Sequence, residues 1–418
     1  MRWPTIENIR KNLDDTAWVA DWKWPKGAKE ESLGGVLQGR DNFMHKPIRI
    51  GLIGAGQIGN IHLKNYSQIP EVRVIAVADL SPEKVEAARR EYDIPDGYAD
   101  FQDLLARDDI DAVDVCVHNN KHAPLAIAAL RAGKHVYCEK PMAGTYRDAE
   151  DMIQAAREHS RMLHIQMGTL YGAEVRAAHR LIADGHLGKI YYARSFGYRR
   201  RGRPFVDGYG SATFVDKTIS AGGALYDMGI YHIAQILHLI GNPAVKTVTG
   251  AAYQELDMDE ARRSFSGYSV EEMGLGWVRM EGGISFDIEE TWAVHHDGQE
   301  ASKILGSQGG LRLSPLTYFA SLSDMPLSAT FDVKGADSRW HACDPETVWY
   351  DSSQKHWAGA LLGRVPLLPT AEYGLNAALI SEGIYLSSRA GKELTAEEIR
   401  VQSRSTAIDP YVPEKVWG

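Results

Sequence analysis

Hydrophobic and polar positions follow two rhythms along this chain. From Pro47 onward, short aliphatic runs end in a glycine or polar turn and give way to an apolar period of about 3.6 residues. Residues 48–53 read as a buried strand and 58–68 as the helix after it; 72–78 form the next strand, ending at Asp79. Ser81 is placed to cap a helix that Pro82 opens. The pattern continues with strand 110–117, helix 124–132 stopped by Gly133, strand 136–138, helix 147–159 and strand 162–167. Strands alternating with helices at this spacing predict a parallel sheet covered by helices on both faces.

Beyond residue 170 strand periods dominate, at 190–198, 244–253, 276–280, 284–294 and 302–305, with Glu281-Gly282-Gly283 as a hairpin turn. Helical periods appear at 225–240 and 373–388. The expected fold is α/β: a doubly wound Rossmann sheet over 47–170, then an α+β domain over 171–418 with a large, mainly antiparallel open sheet. Residues 1–46 stand apart. They hold no sustained period but carry Trp3, Trp18, Trp22 and Trp24, too many tryptophans for a disordered tail. Such an arm packs either on its own subunit or around a neighbour.

Length supports two domains, since 418 residues exceed what one core usually serves. The net charge of −9 argues against nucleic acid or an anionic membrane as partner. Cys116, Cys138 and Cys343 are odd in number and scattered, as in reduced core thiols of a cytosolic protein. Residues 1–15 lack an apolar signal-peptide core, and no run suits a membrane span. A cytoplasmic enzyme is the expectation. The histidines, His295-His296 included, lack zinc-site spacing, so no metal is expected.

The strongest chemical signal is Gly54-Ala55-Gly56-Gln57-Ile58-Gly59, set directly between a strand and a helix. The first glycine allows the tight turn, the second lets backbone approach a pyrophosphate, and the third permits close helix packing. The helix N-terminus offers free N–H groups and positive potential to the phosphates. Asp79 follows at the end of the second strand, where a carboxylate accepts from ribose hydroxyls. An acid there repels a ribose phosphate, and Leu80-Ser81 supplies no arginine, so NAD is favoured over NADP.

Residues 111–116, His122, the stretch 132–141 ending in Glu139-Lys140-Pro141, and residues 222–231 together resemble the Gfo/Idh/MocA oxidoreductases, such as glucose–fructose oxidoreductases and inositol dehydrogenases. The resemblance runs from about residue 48 to 388 and leaves the arm outside. It implies a Rossmann domain followed by a mixed sheet whose open face packs in homodimers or homotetramers. It also implies pyridine-nucleotide oxidation or reduction of a sugar or polyol hydroxyl. By position, Lys140 is the catalytic lysine, with Pro141 suited to a cis bond, and Asn119, His122 and Glu139 lie at the cofactor. Where the family usually has a proline before Asn119, this chain has His118, an extra polar group near the cofactor.

The family also places an acid and, four residues later, a histidine or tyrosine on one helix. Here these are Asp227 and Tyr231. On an ideal helix they lie about 40° apart, whereas His232 is about 140° from Asp227. Tyr231 is therefore the expected acid/base, its phenol made more acidic by the Lys140 ammonium, with Asp227 orienting the hydroxyl or the lysine. His232 reads first as a satisfied helix histidine, with a catalytic role as the alternative, and it joins the substrate-binding candidates. Tyr171, Arg199 and Lys217 complete the substrate candidates with His118; arginine suits a carboxylate or phosphate. Three functions compete: a dehydrogenase, a glycoside-cleaving enzyme that retains NAD and oxidises transiently, and a non-catalytic NAD-dependent sensor.

Overall fold

The computed structural model describes residues 46–298 and 300–411, so all of the expected arm except Lys46 lies outside the described residues. The first layer contains β1 (Ile48–Ile53), α1 (Gln57–Tyr66), β2 (Val72–Ala78), α2 (Pro82–Tyr92), β3 (Asp96–Tyr98) and α3 (Phe101–Leu105). It continues with β4 (Ala112–Val115), α4 (Asn119–Arg131), β5 (His135–Cys138), α5 (Tyr146–Glu158) and β6 (Leu163–Ile165). The six strands are all parallel, in the order β3-β2-β1-β4-β5-β6. Ile50, Leu52, Val113, Val115 and Val136 are fully buried, as a sheet covered on both faces requires. The strand order reverses between β1 and β4, the place where open sheets of this kind bind ligands. Ser81 caps α2 through a bond from Lys84 N, with Pro82 in the first turn.

Helix α4 begins five residues earlier than its proline suggested. Pro124 lies inside it and cannot donate to the carbonyl four residues back. That carbonyl, Asn120 O, instead accepts from Ile408 N at 3.0 Å, so a segment almost three hundred residues away makes the interior proline tolerable.

The second layer contains α6 (Ala173–Ala183), β7 (Ile190–Tyr198), α7 (Lys217–Ser220), α8 (Ile230–Leu239), β8 (Val245–Tyr253), α9 (Glu260–Ser266), β9 (Met273–Met280) and β10 (Ser285–Thr291). After these come β11 (Lys303–Gly306), β12 (Gly310–Arg312), β13 (Thr317–Leu322), β14 (Met325–Thr330), α10 (Val333–Cys343), α11 (Ser353–Leu361), α12 (Thr370–Ala390), β15 (Leu394–Thr395) and α13 (Ala396–Gln402). Nine strands form one sheet in the order β14-β13-β12-β11-β7-β10-β9-β8-β15. It is antiparallel except for the central β7–β10 pair, which is parallel. Helices α8 and α12 cover one face.

The chain then returns to the first sheet. Thr370 Oγ1 accepts from Ile165 N at 2.9 Å, and Ser353 Oγ meets His164 Nε2 at 3.2 Å. Helices α11 and α12 therefore brace the Rossmann strands, and residue 170 marks only the first passage from one sheet to the other. Among the described residues no helix is long and apolar enough to cross a membrane.

Candidate active site

The glycine loop has the division of labour its sequence implies. Gly54 has φ of +100°, and a Cβ there would lie 2.2 Å from Cys116 O. A Cβ at Gly59 would lie 2.0 Å from Gly54 O. Both positions are closed to any side chain. At Gly56 a Cβ would meet nothing within 4 Å, which leaves an open cradle before the first turn of α1. Gly56 is the N-cap and offers no side-chain cap, so the first amides stay available to an anion. Gln57 and Ile58 are exposed beside this cradle. Asp79 braces the loop: its Oδ2 accepts from Ala55 N at 2.8 Å and its Oδ1 from Ser81 N at 2.9 Å. Its remaining lone pairs are those a ribose could use. The residues fit a dinucleotide.

Lys140 is the second residue past β5, at the carboxyl end of that strand, and the Lys140–Pro141 bond is cis. Its base is a buried charge clamp that the sequence reading missed. His62 on α1 meets Asp114 Oδ2 through Nδ1 and Glu139 Oε1 through Nε2, both at 2.9 Å. Glu139 Oε2 in turn accepts from Lys140 N at 2.9 Å. Burial works against a charged His62 ring, but Cys116 and Asp114 beside it raise its pKa well above 6.5. His62, Asp114 and Cys116 form the one group close enough to share a metal among the described residues. Their polar atoms already bond to one another, Cys116 Sγ lying 3.1 Å from His62 Nδ1 and 3.2 Å from Asp114 Oδ1. Glu139 is therefore buried under the lysine, holding it in place.

Lys140 Nζ donates to Asp227 Oδ1 at 3.1 Å and to Asp227 O at 3.0 Å, and sits 4.6 Å from the centroid of the Tyr231 ring. Burial opposes its charge, yet Asp227, Tyr231 and Glu139 together raise its pKa above 10.5. The ammonium does pull the Tyr231 phenol downward, as expected. Desolvation is the larger effect, and the net shift is upward from 10. Tyr231 is thus a neutral phenol, which corrects the expectation of an acidified one. Asp227 Oδ2 accepts from Trp292 Nε1 at 3.2 Å and lies 3.7 Å from Arg199 Nη1.

The helix carrying these groups is not ideal. Residues Leu225–Gly229 form a π turn that runs into α8. Its wider turn underwinds the stretch between Asp227 and His232. Asp227 bonds to Trp292, and His232 Nδ1 meets Glu290 Oε2 at 2.9 Å. Glu290 lies near the end of β10 and Trp292 just beyond it, so the two partners sit together at that strand end. Asp227 and His232 therefore face the same side, and the 140° separation of an ideal helix does not hold. Buried Glu271 fixes the start of the π turn, accepting from Gly223 N at 2.9 Å, Leu225 N at 3.0 Å and the Tyr385 hydroxyl.

The remaining candidates divide. Arg199 joins the Lys140–Asp227–Tyr231 group. His118 is the half-buried N-cap of α4, and Asn119 Nδ2 donates to Ser220 O at 2.6 Å. Lys217 lies 4.5 Å from the Tyr385 ring centroid. Two expectations are corrected. Tyr171 is buried, its hydroxyl 3.1 Å from His164 Nε2, and it lines no cleft. His122 has no exposed surface; its ring nitrogens meet Pro141 O at 2.7 Å and Val117 O at 3.0 Å. It pins the backbone on either side of this strand end, with no side-chain surface to offer a cofactor. Glu290 and Trp292 went unrecognised, although Phe286, Ile288, Glu290 and Trp292 alternate inward. A carboxylate in such a row was the available signal.

Two sequence profiles match this chain. One describes an oxidoreductase family with an NAD-binding Rossmann fold and covers residues 48–167; the other describes the GFO/IDH/MocA C-terminal domain and covers 175–312. The chain is 26% identical over 353 residues to D-glucoside 3-dehydrogenase of Escherichia coli (strain K12), covering 82% of this chain and 96% of that protein. An oxidoreductase domain protein from Kribbella flavida superposes with a TM-score of 0.70 at 22% identity, over 84% of this chain and 100% of the other. Levoglucosan dehydrogenase in complex with NADH gives a TM-score of 0.70 at 21% identity, over 84% and 99%.

Proposed function

The chain belongs to the Gfo/Idh/MocA oxidoreductase family, and from that premise we propose that it is an NAD-dependent dehydrogenase of a secondary hydroxyl on a sugar, polyol or glycoside. The observation that carries this reading is the Lys140 ammonium held on Asp227 beside the Tyr231 ring, at the strand end next to a glycine loop open for a dinucleotide. The glycine loop, Asp79 and Asn119 would hold the cofactor, which supplies the hydride acceptor or donor. Asp79 followed by Leu80 favours NAD over NADP, because nothing there would pair a ribose phosphate. The relative D-glucoside 3-dehydrogenase is named for a glucoside, which supports the substrate class.

Oxidising a secondary alcohol requires the carbon to lose hydride and the oxygen to lose a proton. Lys140, charged and fixed, binds the hydroxyl oxygen and stabilises negative charge growing on it. Asp227 holds the lysine and shares its proton. Tyr231, a neutral phenol beside the lysine, donates a hydrogen bond to the same oxygen. Arg199 and His118 would contact the rest of the substrate, with Lys217 further out.

The test is purified protein with NAD or NADP and a panel containing myo-inositol, levoglucosan, methyl β-D-glucoside and 4-nitrophenyl β-D-glucoside. NADH formed from one of these supports the dehydrogenase. Nitrophenol released without NADH would replace it with the glycoside-cleaving reading, and dinucleotide binding with neither product would replace it with a sensor.

A further inference from the structure

Beside the lysine–carboxylate group lies a second set of proton-handling residues. Glu290 has no exposed surface. Its Oε1 accepts from Ser195 Oγ, and its Oε2 meets His232 Nδ1 at 2.9 Å. Two glycines make room for the set. A Cβ at Gly197 would lie 1.8 Å from Glu290 Oε2 and 2.7 Å from His232 Nδ1, and one at Gly229 would lie 2.9 Å from Glu290 Cγ. A carboxylate sunk in an apolar strand row is costly unless partners hold it, and here they engage both oxygens. His232 alone in the set keeps substantial exposure, 27% of its side chain. With Nδ1 committed to the carboxylate, the other ring nitrogen carries the lone pair. Nε2 has no hydrogen-bond partner among the described residues.

The neighbours do not compete for this role. Lys140 is held as an ammonium and Tyr231 as a phenol. Asp227 already receives Lys140 and Trp292 and lies against Arg199. We propose that His232, oriented by Glu290 and Ser195, is the base that takes the substrate's hydroxyl proton in oxidation and returns it in reduction. The step rests on the alcohol–NAD reading above. The O–H bond breaks and a bond from the proton to His232 Nε2 forms, directly or through one water. The bound dinucleotide would supply the acceptor for the hydride that leaves the same carbon, so that the alcohol ends as a carbonyl. In this scheme His232 is a catalytic residue, while Glu290 and Ser195 are positioning residues.

The charged groups around His232 are Glu290 on β10, Arg199 beyond β7, and Asp227 on its own helical stretch, with Lys140 beyond. Burial and Arg199 oppose a charge on the ring, and Glu290 outweighs them, raising its pKa above 6.5. Oxidation should therefore speed up as pH rises through a midpoint above that value, as the imidazole becomes free to accept.

The test follows pH profiles of wild type, His232→Asn, His232→Ala with and without imidazole, and Glu290→Gln. The substrate is whichever panel alcohol yields NADH, and NAD affinity and Tm serve as fold checks. His232→Asn should lower kcat by about 10²- to 10⁴-fold with KM little changed, and imidazole should restore part of the activity of His232→Ala. Glu290→Gln should move the midpoint down by about one unit or more, because the charge favouring the imidazolium is gone. If His232→Asn keeps kcat within about threefold of wild type, the assignment is overturned and the role returns to Tyr231. An unshifted midpoint in Glu290→Gln, together with no imidazole rescue, overturns it equally. Should Glu290→Gln fail to bind NAD, the His232 variants, altered at a partly exposed ring, decide alone. A wild type that forms no NADH from any alcohol removes the dehydrogenase reading itself, and this inference with it.

Discussion

Lys140 is charged in a half-buried place because its surroundings were built for it. Asp227 contributes the largest stabilising charge, so Asp227→Asn should leave the lysine in a site where burial dominates. We expect its pKa to fall and kcat to drop by about 10²- to 10³-fold, while the dissociation constant for NAD stays within about twofold. Steady-state kinetics beside a cofactor titration reads both. A matching loss in NAD affinity would mean that Asp227 supports the fold and not the reaction. At this scale much was legible. The glycine spacing, Asp79 and Lys140 each announce themselves by residue type at a fixed distance from a strand end. Tyr171 and His122 were misread because a polar ring near a site carries no mark in sequence of which way it points. Glu290 did carry such a mark, a carboxylate where alternation demanded an apolar residue.

Helices place these side chains, and two of them depart from ideal geometry in ways that sequence does not encode. The interior Pro124 is tolerated only because Ile408 takes the carbonyl it frees, a contact no local pattern contains. The π turn before α8 is held at its start by Glu271, on another element altogether. Glu271→Ala should strand two buried amides and the Tyr385 hydroxyl. The expected result is a loss of about 1–3 kcal/mol in unfolding free energy for each donor left unsatisfied and a kcat reduced more than NAD affinity, measured by chemical denaturation and kinetics. Helix α1 has its own anchor in His62. An unfolded histidine titrates near 6.5, and the folded ring titrates well above it. The proton is thus bound more tightly in the folded state. That stability is fully present below about pH 6.5 and is lost as pH rises through the folded value. Thermal unfolding of wild type from neutral to alkaline pH should show this decline. In His62→Gln the slope should be flatter and the protein less stable at neutral pH; an unchanged slope would show that the ring carries no charge in the fold.

At the scale of the whole molecule, the second sheet has one face under α8 and α12 and another that no helix of the described residues covers. On the open face Tyr192 and Trp277 lie with ring centroids 6.1 Å apart, and Ser285, Lys303 and Leu305 line the same groove. Trp277 and Tyr253 are exposed at 39% and 40%. Monomers seldom leave a contiguous apolar patch of more than a few hundred Å² uncovered, and a self-complementary sheet face is the usual substrate of a twofold interface. The occupant we expect is a second copy of this chain, the homodimer or homotetramer that the family resemblance implies. Trp277 contacts solvent and not the core, so Trp277→Glu should leave Tm nearly unchanged while introducing a charge that such an interface cannot bury. Light scattering after size exclusion should then report a fall from the oligomeric mass toward the 46.3 kDa monomer. A monomeric wild type would show that the face has no self-partner. Deleting residues 1–46 asks the complementary question about the arm. A lower assembly mass would place it on a neighbour, and a lower Tm at unchanged mass would place it on its own subunit.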